Sequence, residues 1–287
     1  MSNEPTLTIA GNNDLASETA RHAIASGVAD PVYLWKSIDA PLVSAAPALI
    51  LADADERAGF ARAALGAGIP VVSLPIDNPD DAIVQAMLDG RLRLMSRLHG
   101  LPALDRLYTD CEAELYGRRY GVFAAHRLPR NAVQDLEPAL CDLVVYVASL
   151  IDSPLVRLSA TTSNLDTSST AAWFLLARFA DDTIATIEVG AMLPEADDAG
   201  GELLVEVTGS DAVLRAEPER QSILVNRSGG HEWMAWYAAA PEFLLRRAVS
   251  LLKLPDPSCS RSALHFMQRR VEAAKADRSL PVSPDMA

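Results

Sequence analysis

The chain has 287 residues, 49% of them apolar, and a formal net charge of -13. That length suggests two domains with real cores, and so acidic a balance argues against nucleic acid, whose backbone needs a positive face. No apolar run approaches the roughly 18 residues of a membrane span. Met1-Ser2-Asn3-Glu4-Pro5 lacks a secretory pattern, so a cytoplasmic protein without a membrane partner is expected.

Leu7 to Ala10 reads as a short strand, Gly11-Asn12-Asn13-Asp14 as a turn, and Leu15 to Ile24 as a helix. Further strands are expected at Pro31 to Trp35, Ala48 to Ala52 and Ile69 to Leu74, with another beginning at Leu92. Helical spacing marks Glu56 to Ala67 and Asp80 to Leu88. Unalternating strands separated by helices predict a Rossmann-like parallel sheet over residues 1–116, covered on both faces.

From residue 117 to 287 the pattern becomes α+β, predicting a large, mostly antiparallel open sheet. Gly117 to His126 reads as turn and strand, and Asp135 to Leu150 as a strongly apolar helix. Strands follow at Leu155 to Thr161, Ala171 to Phe179, Thr183 to Gly190, Glu202 to Gly209 and Ala212 to Ala216. Helix returns at Pro241 to Leu252 and Ser260 to Ala276, and a loose tail is expected after that.

The opening turn is an imperfect dinucleotide loop. Gly11 and Ala16 hold the first and last positions of G-x-G-x-x-G/A, but Asn13 replaces the middle glycine that lets a pyrophosphate approach the backbone. Asp14 adds negative charge where a phosphate would sit, and Asp53-Ala54-Asp55-Glu56 adds more after the third strand. Lys36 and Ser37 end the second strand in place of an acidic residue, a pair better suited to NADP than to NAD. Asp135, Glu137 and Asp142 form a carboxylate group on one helix, where Asp135 could equally be a cap. Cys111, Cys141 and Cys259 match no metal or redox spacing and are expected to be buried spectators. His231 to Tyr237 is an aromatic-rich stretch, by default packed under the next helix. No G-x-S-x-G, H-E-x-x-H, paired C-x-x-C or P-loop is present.

The strand and turn at Leu7 to Ala16, the segment Ala48 to Pro75, the helix Asp135 to Asp142, the hairpin Val205 to Leu214 and the closing helix around Ala263-Leu264 and Val271 to Ala274 come in a familiar order. Together they resemble the Gfo/Idh/MocA oxidoreductases over nearly the whole chain. That resemblance implies a nicotinamide cofactor, an active-site lysine in a Glu-Lys-Pro motif and a histidine on the first helix of the second domain. Here Ser73-Leu74-Pro75 puts Leu74 at the lysine position, and the histidine position falls on Ala139. Neither side chain moves a proton. Asp135 alone retains an active-site position, and His99 or His126 is the candidate replacement for the missing imidazole.

The leading expectation is therefore a relative that is not a competent dehydrogenase alone, acting as a non-catalytic subunit or small-ligand-binding partner of an active homologue. It would bind no cofactor or NAD(P), with NADP favoured. The alternatives are a working NAD(P)-dependent oxidoreductase on a sugar-like or small cyclic substrate, and a cofactor-independent lyase or isomerase. An uncovered apolar face on the second sheet predicts a homo- or hetero-oligomer.

Overall fold

Strand Leu7–Ala10 (β1) is buried along its whole length because both faces of its sheet are covered. The structure is a computed structural model. It describes residues 6–29, 31–42, 44–77, 79–164, 170–194, 201–220, 222–227, 229–235, 240–253, 261–269 and 279–281. Helix Asp14–Ser26 (α1) leads to Val32–Trp35 (β2), followed by Ala48–Ile50 (β3), helix Ala54–Gly66 (α2), Val71–Ser73 (β4), helix Asp81–Leu88 (α3) and Leu92–Leu94 (β5). The five strands are all parallel in the order β2-β1-β3-β4-β5. Chain direction across the sheet reverses at β1 and β3, where open α/β sheets place their ligands.

Helix Pro102–Glu112 (α4) was not anticipated, although Pro102 stands at its favoured first position and Ala103, Leu104, Leu107, Tyr108 and Cys111 form its buried face. Arg119–Pro129 (β6) then enters the second sheet, and Leu136–Ile151 (α5) crosses between the two sheets. Leu140, Leu143, Val144 and Val147 of α5 join the core of the second sheet, while Cys141, Val145 and Ala148 join the core beneath the first. A helix buried on nearly every side must be apolar all round, which explains its composition.

The remaining strands are Leu155–Asn164 (β7), Thr170–Phe179 (β8), Ile184–Leu193 (β9), Glu202–Gly209 (β10), Ala212–Glu217 (β11), Ser222–Arg227 (β12) and Gly230–Ala235 (β13). With Ser279–Pro281 (β14), the sheet runs β13-β12-β11-β10-β6-β9-β8-β7-β14. Every described pairing in it is antiparallel except β6 with β9, which is parallel.

The aromatic-rich stretch begins inside β13 and precedes helix Ala240–Lys253; Trp236 and Tyr237 lie outside the described residues. Two expectations are corrected. Part of the tail is ordered, because Ser279–Pro281 pairs with β7. Asp135 does not cap α5: it lies in the α region at the end of the 3-10 turn Arg130–Asp135, makes no capping bond and is exposed.

Helix Ala240–Lys253 (α6) leaves the second sheet and returns to the first. Its Leu244, Leu245, Ala248 and Leu251 pack with Ile9, Ala16, Leu51, Leu74 and Met95. Residues 261–269 are also helical, and Ala263, Leu264 and Met267 join the other face of the same sheet. Cys111 and Cys141 are buried, and burial pushes the Cys111 thiol up to about 12. Cys259 lies outside the described residues.

Candidate functional site

Gly11 is required by the fold itself. Its φ is +147°, and a Cβ there would stand 3.0 Å from both the Ala52 nitrogen and the Ala16 Cβ. Only glycine lets the end of β1 lie this close to the turn after β3. Asn13 takes the place that the middle glycine leaves in a dinucleotide loop, and its side chain is fully used. Its Oδ1 accepts from the Ala16 N–H at 3.0 Å as the N-cap of α1. Its Nδ2 donates to the Leu51 carbonyl at 2.8 Å and to Asp53 Oδ1 at 3.0 Å. One amide therefore ties the β1 turn to the β3 turn across the point where the sheet changes direction.

The ends of β3, β4 and β5 form the wall beside this bridge. Arg57 on α2 is only 7% exposed; its Nε donates to the Ala52 carbonyl at 2.8 Å and its Nη1 to the Pro75 carbonyl at 2.7 Å. Burial lowers its pKa, as does the neighbouring charge of Arg97, while Asp142, Asp77 and Asp53 oppose the shift. Asp142 on α5 is buried and receives the Arg97 N–H at 2.9 Å, Arg97 Nε at 2.8 Å and the Ser96 hydroxyl at 3.3 Å. The carboxylate thus holds the turn after β5 against the second domain. His126 on β6 lies half-buried near Asp142; burial lowers its pKa and the carboxylate partly offsets this.

The other candidates are dispersed. Leu74 is 1% exposed and lies in the apolar cluster with Leu244 and Leu245 of α6. Ala139 is buried in the core of the second sheet, so neither family position presents a polar group. His99 is buried with both ring nitrogens occupied: Nδ1 meets the Ser96 carbonyl at 3.1 Å and Nε2 meets Ser149 Oγ at 3.0 Å. Tyr108 and Tyr146 pack against the ring, and burial holds its pKa well below the usual histidine value. Lys36 and Ser37 are exposed beyond β2, where Ser37 Oγ accepts from the Asp39 N–H at 3.3 Å. Beneath them Trp35 packs edge-on against Phe60, with ring centroids 4.8 Å apart. The Asp142 charge is therefore felt at His126, whereas Asp135 is exposed and His99 is taken up by Ser96 and Ser149. Arg57 and Arg97 went unnoticed in the sequence because a lone arginine carries no motif.

A pyrophosphate on this turn would need the free N–H groups of the first turn of α1 and a bare backbone. The Ala16 N–H is already satisfied, the Asn13 amide fills the approach, and Asp53 stands beside it. These residues do not fit the group.

Solved structures share this architecture. A myo-inositol dehydrogenase from Corynebacterium glutamicum superposes with a TM-score of 0.71 at 13% identity, covering 98% of this chain and 99% of that one. The chain has the Gfo/Idh/MocA oxidoreductase fold. Two more structures with this fold carry cofactor. Levoglucosan dehydrogenase in complex with NADH matches at TM-score 0.69 and 13% identity, over 98% of this chain and 100% of that one. An oxidoreductase from Agrobacterium radiobacter in complex with NAD+, L-tartaric acid and magnesium matches at 0.68 and 11%, over 97% and 98%. No protein-family model and no curated protein matches the sequence. At these identities the likeness establishes the fold, and function rests on the site.

Proposed function

We propose that this protein is not a competent dehydrogenase by itself and serves as a ligand-binding or non-catalytic subunit built on the Gfo/Idh/MocA oxidoreductase fold. The observation that carries this reading is the Asn13 bridge, which puts a side-chain amide and the Asp53 carboxylate where a pyrophosphate would lie. Leu74 supports it, since an apolar side chain buried under α6 neither donates nor accepts a proton. Calorimetric titration of the purified chain with NAD(H) and NADP(H) tests it. The expected result is no saturable heat up to millimolar cofactor; micromolar affinity for either would overturn the reading.

The competing reading is a working NAD(P)-dependent oxidoreductase using His126. Its support is that neighbours of the same fold are complexes with NAD+ or NADH. Exposed Lys36 and Ser37 would then favour NADP. The same titration separates the two.

The outward face of the second sheet supports an oligomer. Phe174, Leu176, Ile184 and Met192 are exposed there, and no described element covers them. The partner is a second copy or an active homologue of the same fold.

A further inference from the structure

We propose that the seam between α4 and α6 is an acid-tightened clasp between the two domains, set by whether Asp105 carries a charge. The device is independent of which ligand, if any, the fold keeps.

Helix α6 belongs to neither domain alone. Its apolar side packs with the parallel sheet and α1 through Leu244, Leu245 and Ala248. Its Arg246 and Arg247 meet α4, whose own buried side lies in the core of the second sheet. Close approach of the backbone sets the fit: a Cβ on Gly100, in the 3-10 turn Arg97–Gly100, would stand 3.0 Å from Leu244 Cγ.

The rest of this seam is ionic and poorly balanced. The Arg247 side chain is 4% exposed, and its Cζ lies 3.9 Å from the centroid of the Tyr108 ring. Its Nη1 donates to the Tyr108 hydroxyl, which in turn donates to Glu112. Its Nε is buried with no hydrogen-bond partner among the described residues. Arg247 is thus spent on Tyr108 and Glu112. The Asp105 side chain is 9% exposed, and among the described residues its one ion pair is with Arg246 Nη1 at 3.4 Å. That arginine is 58% exposed and also holds Glu242 at 2.9 Å. A buried carboxylate with one long, solvent-screened partner costs free energy when ionised, and protonation removes the cost.

Burial accordingly raises the Asp105 pKa to about 6; Arg246 and Arg247 oppose the shift, and Glu112 and Glu242 add to it. Burial keeps Tyr146 of α5 protonated and His99 of the 3-10 turn neutral. Lifting α6 returns Asp105 to water and to an ordinary value of about 3.9. Seating of α6 is therefore favoured at low pH, and that advantage is lost as pH rises from about 4 through about 6.

The test is hydrogen–deuterium exchange of the full chain at about pH 5 and about pH 8, corrected for the intrinsic pH dependence of exchange. Amides of α6 should exchange faster than those of β6 at both values, which marks local lifting. The ratio of α6 protection at the lower pH to that at the higher should be at least about fivefold larger in the wild type than in Asp105→Asn. His99 and the other titrating groups contribute to both proteins and cancel. If Asp105→Asn does not fold, Arg246→Gln serves, because the replaced side chain is mostly in water. It should lower α6 protection at least about threefold at the higher pH and leave it unchanged at the lower. Three results overturn the proposal: α6 and β6 exchanging together, a pH ratio that Asp105→Asn leaves unchanged, or an Arg246→Gln effect equal at both pH values.

Discussion

At the scale of single residues, Asn13 replaces a permissive backbone with a fixed link. Restoring the loop pattern with Asn13→Gly removes an N-cap and both bonds to the β3 turn. Cap loss to glycine alone costs only tenths of a kcal/mol, but the cross-loop bonds add about 1 kcal/mol. The variant is expected to be about 1 kcal/mol less stable by urea denaturation and still to show no micromolar NAD(H) binding, because Leu74, Asp53 and the other acidic side chains remain. Asp105 behaves differently. It is buried on α4, its pKa is raised to about 6 by burial, and Arg246 Nη1 approaches it at 3.4 Å without cancelling that effect. The folded-state value exceeds the unfolded one of about 3.9, so the folded protein holds the extra proton. Stability from this group is present at low pH and is lost as pH rises from about 4 through about 6. Asp105→Asn should flatten that part of the pH–stability curve and raise stability at pH 7; an unchanged curve would contradict the burial argument. The loss of the middle glycine was legible in the sequence, but the three bonds that make Asn13 a bridge were not, because two of its partners lie about 40 residues away in the chain.

At the scale of elements, α6 decides what the end of β4 can be. Helical periodicity marks Pro241 to Leu252, yet it does not say which sheet that helix covers. Leu244 and Leu245 come back from the far end of the second sheet to pack beside Leu74, Met95 and Ala16. Leu74→Lys, which would restore the lysine of the resemblance, places an ammonium group in that cluster with no acidic partner among its members. The expected cost is roughly 2–4 kcal/mol, read as a large fall in Tm with no gain of hydride transfer to NAD+ or NADP+. A stable variant that oxidises a polyol would show instead that the leucine merely blocks a working site. The parallel sheet and α5 were readable because their burial leaves continuous apolar runs. Strands β12 and β13 were missed because Asn226-Arg227 at the end of one and Gly230-His231-Glu232 at the start of the other break up their apolar residues. Asp135, left open between cap and active-site position, is settled only as to the cap. A carboxylate just before an apolar helix usually caps it, but here a 3-10 turn runs directly into α5 and uses up the capping geometry.

For the whole molecule, the second sheet has two unlike faces. Inward residues such as Val189, Val205 and Leu214 are buried against α5 and its neighbours. Outward, Leu176 and Ile184 are 52% and 49% exposed on β8 and β9, and Phe174 and Met192 are exposed on the same two strands, with Arg178, Thr186 and Glu188 interleaved in register between them. Toward β6, β10 and β11 the same face becomes charged. Arg127 lies 3.8 Å from both Glu188 and Glu202, and Arg215 lies 3.0 Å from Glu217. A surface that is apolar at one end and carries both charge signs at the other can meet its own copy about a two-fold axis without placing like charges together. A stable pair of this kind buries about 800 Å² per partner. If the sheet face pairs two copies as proposed, Leu176→Arg combined with Ile184→Lys puts two desolvated cations at the apolar end and should abolish self-association in sedimentation equilibrium, with the circular dichroism spectrum unchanged. A wild-type chain that is monomeric alone but binds an active homologue of the same fold would assign the face to a hetero-oligomer; monomer under both conditions would remove the face as an interface.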